Sequence, residues 1–216
     1  MLEIREFYQR IWKEYADPAH HPITARCLST QSEILRVLLE ERRPQIVLDL
    51  GCGPLPVIRP EQATLVVSAD FIPEMLSSLR GKGAHRAVCL DALALPFRKR
   101  CFDLVWCGLV VDHVGEVRRW VEGILRVLKP GGVLGMACWE RSHLPRERYP
   151  QDRIMRYTCS SGEELAVTSY PNWENALEVL KRLDPNLQIR SYPVVPDQYV
   201  LQVAFAEPRS LAPPAL

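Results

Sequence analysis

Val47-Leu48-Asp49-Leu50-Gly51-Cys52-Gly53-Pro54 is a β-branched and leucine-rich run that ends in a carboxylate and then in two closely spaced glycines. The apolar residues predict a buried strand, and the glycines predict a tight turn at its tip. Glycine tolerates φ > 0 and lacks the Cβ that would keep a ligand off the main chain. The stretch therefore predicts a strand that brings bare backbone up to a bound molecule. A second acid, Asp70, follows the next apolar run, Ala63 to Ala69. It lies roughly 20 residues past the glycine turn, the separation at which doubly wound folds place a carboxylate that binds ribose hydroxyls.

The chain has 216 residues and a mass of 24.7 kDa, which suits one domain with a sizeable core. Its 27 Lys+Arg and 26 Asp+Glu leave a formal net charge of +1, so no global field draws it to nucleic acid or anionic lipid. Neither partner is expected. The charged start, Met1 to Phe7, has no apolar signal-peptide core, and no run approaches the roughly 20 apolar residues of a membrane span. A soluble cytoplasmic protein is expected. The seven cysteines (27, 52, 89, 101, 107, 138 and 159) are odd in number, lack C-x-x-C spacing and mostly lie in apolar runs. Reduced core thiols fit that pattern better than a zinc site.

Around the opening stretch, strand and helix signals alternate. Ile4, Phe7, Tyr8, Ile11, Trp12 and Tyr15 recur at helical spacing, giving an aromatic-faced helix that Asp17-Pro18 stops. Ser29-Thr30 offers a cap, with Glu33 nearby, for a second helix that ends before Pro44. Strands are expected at Ile46 to Leu50, Thr64 to Ala69, Ala87 to Leu90, Phe102 to Cys107 and Val133 to Trp139. Helices are expected at Pro73 to Arg80 and Glu116 to Leu128. Lys129-Pro130-Gly131-Gly132 reads as a helix stop and turn. A helix from Trp173 to Leu183 leads to two late runs, Gln188 to Val195 and Gln198 to Glu207, whose short Pro-Asp link predicts an antiparallel pair. The expected fold is α/β: a doubly wound, seven-stranded, mostly parallel sheet with an antiparallel terminal strand and helices on both faces.

Beyond Asp49 and Asp70 come Asp91-Ala92 at the third strand end, Phe102-Asp103-Leu104-Val105 in the fourth strand, and Leu128 to Leu134 entering the fifth. In order and spacing, Ile46 to Trp139 resembles the class I methyltransferases that use S-adenosylmethionine. The resemblance implies a cofactor site with assigned parts. Gly51, Cys52 and Gly53 would lay main chain against the methionine portion, with Asp49 supplying negative charge near its ammonium. Asp70 would take both ribose hydroxyls and Phe71 would lie against the adenine. Asp91 and Ala92 would read the polar edge of the base, and Cys107 would offer a backbone carbonyl to the ammonium. Asp103 reads as structural.

The family usually carries another glycine where Leu55 stands, followed by a clear helix. Here Pro54, Pro56 and Pro60 predict a short or irregular first crossover. Methyl transfer needs no protein nucleophile, so a base is the group to seek, and the candidates are His113 in Val111-Asp112-His113-Val114 and His143. Asp112-His113 is also similar to the ligands of metal-dependent relatives, but Leu109 stands where those carry an acid, so no metal is expected. Residues 1–207 are expected to form one methyltransferase domain with a flexible tail at 208–216. Residues 1–43 and an insert at 140–173 would enclose the acceptor. The insert is rich in cations (Arg141, His143, Arg146, Arg148, Arg153, Arg156) and would suit a carboxylate- or phosphate-bearing small molecule. A carrier-bound acid, as in the malonyl methyltransferases of biotin synthesis, is one such acceptor. Two other readings are a nicotinamide oxidoreductase, which the missing third glycine disfavours, and a SAM-binding scaffold without turnover.

Overall fold

β1 (Ile46–Leu50) is the centre of the molecule: its last four residues are buried, and it pairs in parallel with β2 (Leu65–Asp70) on one side and β4 (Phe102–Gly108) on the other. The computed structural model describes residues 3–15, 17–77, 79, 86–140, 154–170, 172–196 and 199–207. β3 (Arg86–Cys89) extends the sheet beyond β2, and β5 (Leu128–Trp139) extends it beyond β4. After the hairpin partners β6 and β7, described below, β8 (Gln188–Val195) and β9 (Tyr199–Ala206) complete the order 3-2-1-4-5-9-8. β9 is antiparallel to both neighbours. The seven-stranded, mostly parallel sheet is thus as expected, with the late antiparallel strand lying inside the sheet and β8 at its edge.

Side chains alternate across the pleat, so each strand feeds two cores. Leu48, Leu50, Val105 and Met136 meet Trp120 and Ile124 of α4 (Val117–Val127) and Leu177 and Leu180 of α5 (Trp173–Leu183). Val47, Leu104, Trp106 and Ala137 meet Cys27, Leu35 and Leu39 of α2 (Pro22–Arg42) on the opposite face. α1 spans Ile4–Tyr15, and the short α3 spans Pro73–Ser77. Among the described residues no helix is long and apolar enough to cross a membrane.

Two local expectations need correction. α2 begins at Pro22, well before the expected cap at Ser29-Thr30, because proline at the first helical position starts a helix readily. Thr30 Oγ1 donates to the Arg26 carbonyl at 3.1 Å, so its hydroxyl is engaged inside the helix. Lys129-Pro130-Gly131-Gly132 is not a free turn. α4 runs straight into β5, and the segment forms an irregularity in the ladder, where Phe102 pairs with Leu128 but Leu104 pairs with Val133. Gly131, at φ +75°, supplies the backbone conformation this requires. Between β1 and β2 there is no α-helix, only a 3-10 turn at Pro60–Gln62, as the prolines predict.

The described part of the insert contains two strands. β6 (Ile154–Thr158) and β7 (Glu164–Thr168) form an antiparallel hairpin, and Leu165 and Val167 pack on Phe7 and Ile11 of α1 as a separate small core. Arg141, His143, Arg146, Arg148 and Arg153 lie outside the described residues, as does the tail at 208–216. Asp103 is structural: its carboxylate accepts Lys129 Nζ at 2.7 Å and the Ile46 N–H at 2.8 Å, clamping the start of β1. Burial pushes its acidity down, but those partners outweigh it and hold the carboxyl below the usual carboxylate range.

Candidate active site

At the carboxyl end of β1 the N–H groups of Gly51 and Cys52 both donate to the Ala69 carbonyl, at 2.7 and 3.0 Å, which ties the glycine turn to β2. Gly51 and Gly53 adopt φ of +75° and +61°. A Cβ on Gly51 would lie 2.3 Å from Val110 Cγ2, whereas one on Gly53 would meet nothing within 4 Å. The first glycine is required by packing as well as by φ, while the second leaves open space beside the main chain. Leu55, where another glycine was expected, is 43% exposed, so its side chain crowds nothing there.

Asp70 is 9% exposed and splits its carboxylate between two backbone donors, Gly53 N–H on Oδ2 and Ile72 N–H on Oδ1, each at 2.9 Å. Burial raises its pKa, partly offset by those donors. Asp49 lies deeper, 2% exposed, beneath the proline-rich crossover that supplies it with the N–H groups of Ile58 and Val57. Its Oδ2 has no hydrogen-bond partner among the described residues. Burial, with the nearby Asp70 charge adding to it, pushes its pKa up to about 7.

These tips open into a cavity of about 320 Å³. Of the expected cofactor residues, Gly51, Gly53, Asp70, Phe71, Asp91 and Ala92 line it. Asp91 also holds its own turn by accepting the Leu93 N–H at 2.8 Å. Phe71 presents one face to solvent, where the Arg5 guanidinium sits 5.0 Å from the ring centroid. Asp49, Cys52 and Cys107 do not line the cavity. Cys52 packs against Leu76 and Leu79, and Cys107 lies within β4, its thiol in the core. Gly108, Leu109 and Val110 form that part of the wall instead, with Leu109 held at φ +59°.

A second cavity, of about 610 Å³, adjoins the first. α1, the start of α2, the end of β5 and β6 enclose it. Tyr8, Tyr15, Leu109 and His113 line both cavities. His113 ends the 3-10 turn Val111–His113, and its Nε2 lies 2.7 Å from Tyr8 Oη. Desolvation lowers its pKa to about 4. His21 stacks on Tyr157 and hydrogen-bonds its hydroxyl at the rim. Sequence reading gave α1 to the acceptor side alone and missed that Ile4, Tyr8 and Tyr15 also roof the first cavity. The seven-residue separation of the two tyrosines, one helix face, was the available signal.

Residues 48–136 match the family described as "Methyltransferase domain". The chain carries a class I methyltransferase domain. The malonyl-[acyl-carrier protein] O-methyltransferase of Salmonella typhimurium is 33% identical to it over 120 residues, 54% of this chain and 48% of that protein. The probable tRNA methyltransferase 9B of Mus musculus is 27% identical over 148 residues, 67% of this chain and 33% of that one. The chain thus spans about half the length of one such relative and a third of the other. Among solved structures, the DhpI–SAH complex superposes with a TM-score of 0.64 at 18% identity, covering 95% of both chains, which is a likeness of fold. The cofactor of this class is S-adenosylmethionine, and the methyltransferase domain has features that fit it: a carboxylate oxygen left over at Asp49, open space at Gly53, and spare lone pairs on Asp70.

Proposed function

We propose that the chain transfers the methyl group of S-adenosylmethionine to a small molecule held in the cavity between α1 and β6. The observation that carries this reading is the pair of adjoining cavities, one at the strand tips and one under the added segments, joined through a wall of four residues. When bound, the cofactor supplies an electrophilic methyl group on a positively charged sulfur. The chain's own residues then bind and orient. Gly51, Cys52 and Gly53 offer backbone to the methionine portion, Asp49 offers charge from beneath the turn, and Gly108 offers main chain at the end of β4. Asp70 takes the ribose hydroxyls, Phe71 the adenine face, and Asp91 with Ala92 its polar edge. α1 excludes water from both cavities, since alignment and dryness are what this reaction draws from a protein.

Of the cations in the insert, Arg156 is the arginine among the described residues that lines the acceptor cavity, and there it would hold a carboxylate or phosphate. The reading covers one domain over 1–207, with 1–43 and 140–173 enclosing the acceptor. Calorimetric titration with S-adenosylmethionine, S-adenosylhomocysteine and NAD(H) tests it. Micromolar or tighter binding of the first two and none of NAD(H) is expected; a preference for NAD(H) would reject methyl transfer. Binding without label transfer from methyl-labelled cofactor to any metabolite pool would favour a scaffold.

A further inference from the structure

The wall between the two cavities is where a methyl group must cross, and among the described residues that compose it there is no carboxylate or ammonium. Tyr8, Tyr15, Leu109 and His113 compose it. The Tyr8 and His113 rings meet edge to face at 82°, with the phenol oxygen 2.7 Å from Nε2. A phenol is a far better acid than a neutral imidazole N–H, which assigns the hydroxyl as the donor and Nε2 as the acceptor. The imidazole proton then resides on Nδ1, a buried atom with no hydrogen-bond partner among the described residues. Tyr8 is fixed from behind as well: α1 seats Phe7 and Ile11 on the β6–β7 hairpin, and the Tyr15 ring lies 5.7 Å from the Tyr8 ring at 81°.

Resting on the function proposed above, we propose that Tyr8 is a catalytic residue whose hydroxyl takes the acceptor's proton while passing its own to His113, so that the acceptor atom is one that carries hydrogen, a hydroxyl or an amine. The acceptor's lone pair forms the new bond to the methyl carbon as the carbon–sulfur bond breaks and its electron pair stays on sulfur. The acceptor's proton moves to Tyr8 Oη, and the phenol proton moves to His113 Nε2. The imidazolium so formed returns its proton to water when the methylated product leaves. Burial keeps His113 in its neutral, proton-accepting form beforehand. Its positive charge appears as the cofactor's positive charge is lost, so the charge at the wall is conserved through the step. Asp112, on the same turn, accepts the Cys138 thiol at 3.4 Å. A carboxylate acceptor, which has no proton to lose, would have no use for this pair.

The test uses the full chain labelled with 15N-histidine and loaded with S-adenosylhomocysteine. The imidazole that His113→Gln removes should carry its proton on Nδ1 and show a hydrogen-bonded acceptor at Nε2. In Tyr8→Phe that Nε2 resonance should move toward a free lone pair. A proton on Nε2 in the parent protein, or no movement in Tyr8→Phe, would overturn the relay. Calorimetry on both proteins separates the two readings: no binding of S-adenosylmethionine by the parent chain defeats the methyltransferase function itself, whereas binding with unmoved nitrogen resonances defeats the relay alone. With phenol, aniline and benzoate as probe acceptors at saturating cofactor, Tyr8→Phe should lower kcat on phenol and aniline by about 100-fold. Cofactor Kd should change less than threefold. Equal loss on benzoate would make Tyr8 a packing residue and overturn the proposal. If none of the probes is methylated, the nitrogen resonances decide.

Discussion

Asp70 accepts the Gly53 N–H from the neighbouring turn and the Ile72 N–H from its own, at 2.9 Å each, and still lines the cavity. Asp70→Ala should therefore lower affinity for S-adenosylmethionine by roughly 1 to 3 kcal/mol, or about 5- to 150-fold, through lost charged hydrogen bonds. Titration calorimetry on a variant that retains its circular dichroism spectrum checks this, and unchanged affinity would place the ribose elsewhere. Gly51→Ala meets Val110 at 2.3 Å and a φ of +75°, so it should destabilise the fold by about 1 to 3 kcal/mol in urea unfolding and weaken cofactor binding. Asp49 makes a pH prediction. Its folded pKa, pushed up to about 7, exceeds the unfolded value, so the native state holds a proton that the unfolded chain releases. That stability contribution is complete below about pH 4 and is lost as pH rises to about 7. Burial of His113 works in the opposite direction, adding stability as pH rises from about 4 to 6.5, so a matched pair of proteins is needed. Without cofactor, Asp49→Asn should gain on the parent chain between pH 5 and pH 8 by an amount on the order of 2 kcal/mol. Parallel stability curves would mean that the carboxyl is ionised in the native state throughout.

α1 and the β6–β7 hairpin hold each other through Phe7, Ile11, Leu165 and Val167, and their attachment to the sheet runs through polar and aromatic contacts. Those attachments include Tyr8 on His113, Gln9 on Glu74, Arg5 on Phe71 and His21 on Tyr157. A small core with such a seam should open as one unit. Leu165→Ala should remove roughly 2 to 4 kcal/mol from that unit. Hydrogen exchange would show it as faster exchange across α1, β6 and β7 with β1 and β4 unchanged. Uniform acceleration over the chain would mean that the unit is not separable. The aromatic face of α1 was legible in the sequence because it repeats every three or four residues. The hairpin was less so: Leu165 and Val167 follow Ser161-Gly162 two positions apart, but Ala166 between them leaves a short apolar run in place of a clean alternation.

Cofactor binding should be felt by the entire chain, because the cavity draws on the ends of β1, β2 and β4 and on α1 together. With S-adenosylmethionine at 100 times its Kd, mass action adds about 2.7 kcal/mol. For a protein of this size that raises Tm by about 5 to 10 °C. Thermal unfolding with and without ligand checks it, and NAD+ at the same concentration should leave Tm in place.

The succession of strands and helices was written locally, in β-branched runs, in glycines that only a turn could use, and in acids at strand ends. That is why β1 fell at Ile46–Leu50 as read, and why Gly51, Gly53, Asp70, Phe71, Asp91 and Ala92 all reach one cavity: parallel strands put their carboxyl ends on one edge. What the chain order could not decide was which side chain turns inward and what meets it. Thr30 spends its hydroxyl within α2, and β5 absorbs Lys129 to Gly132 into its ladder. Tyr8 and His113 stand 105 positions apart in sequence, and only the closing of α1 over the sheet brings their polar atoms to 2.7 Å. Short-range chemistry is carried by neighbours along the backbone, whereas the meeting of two cavities at four side chains exists only once distant segments have packed.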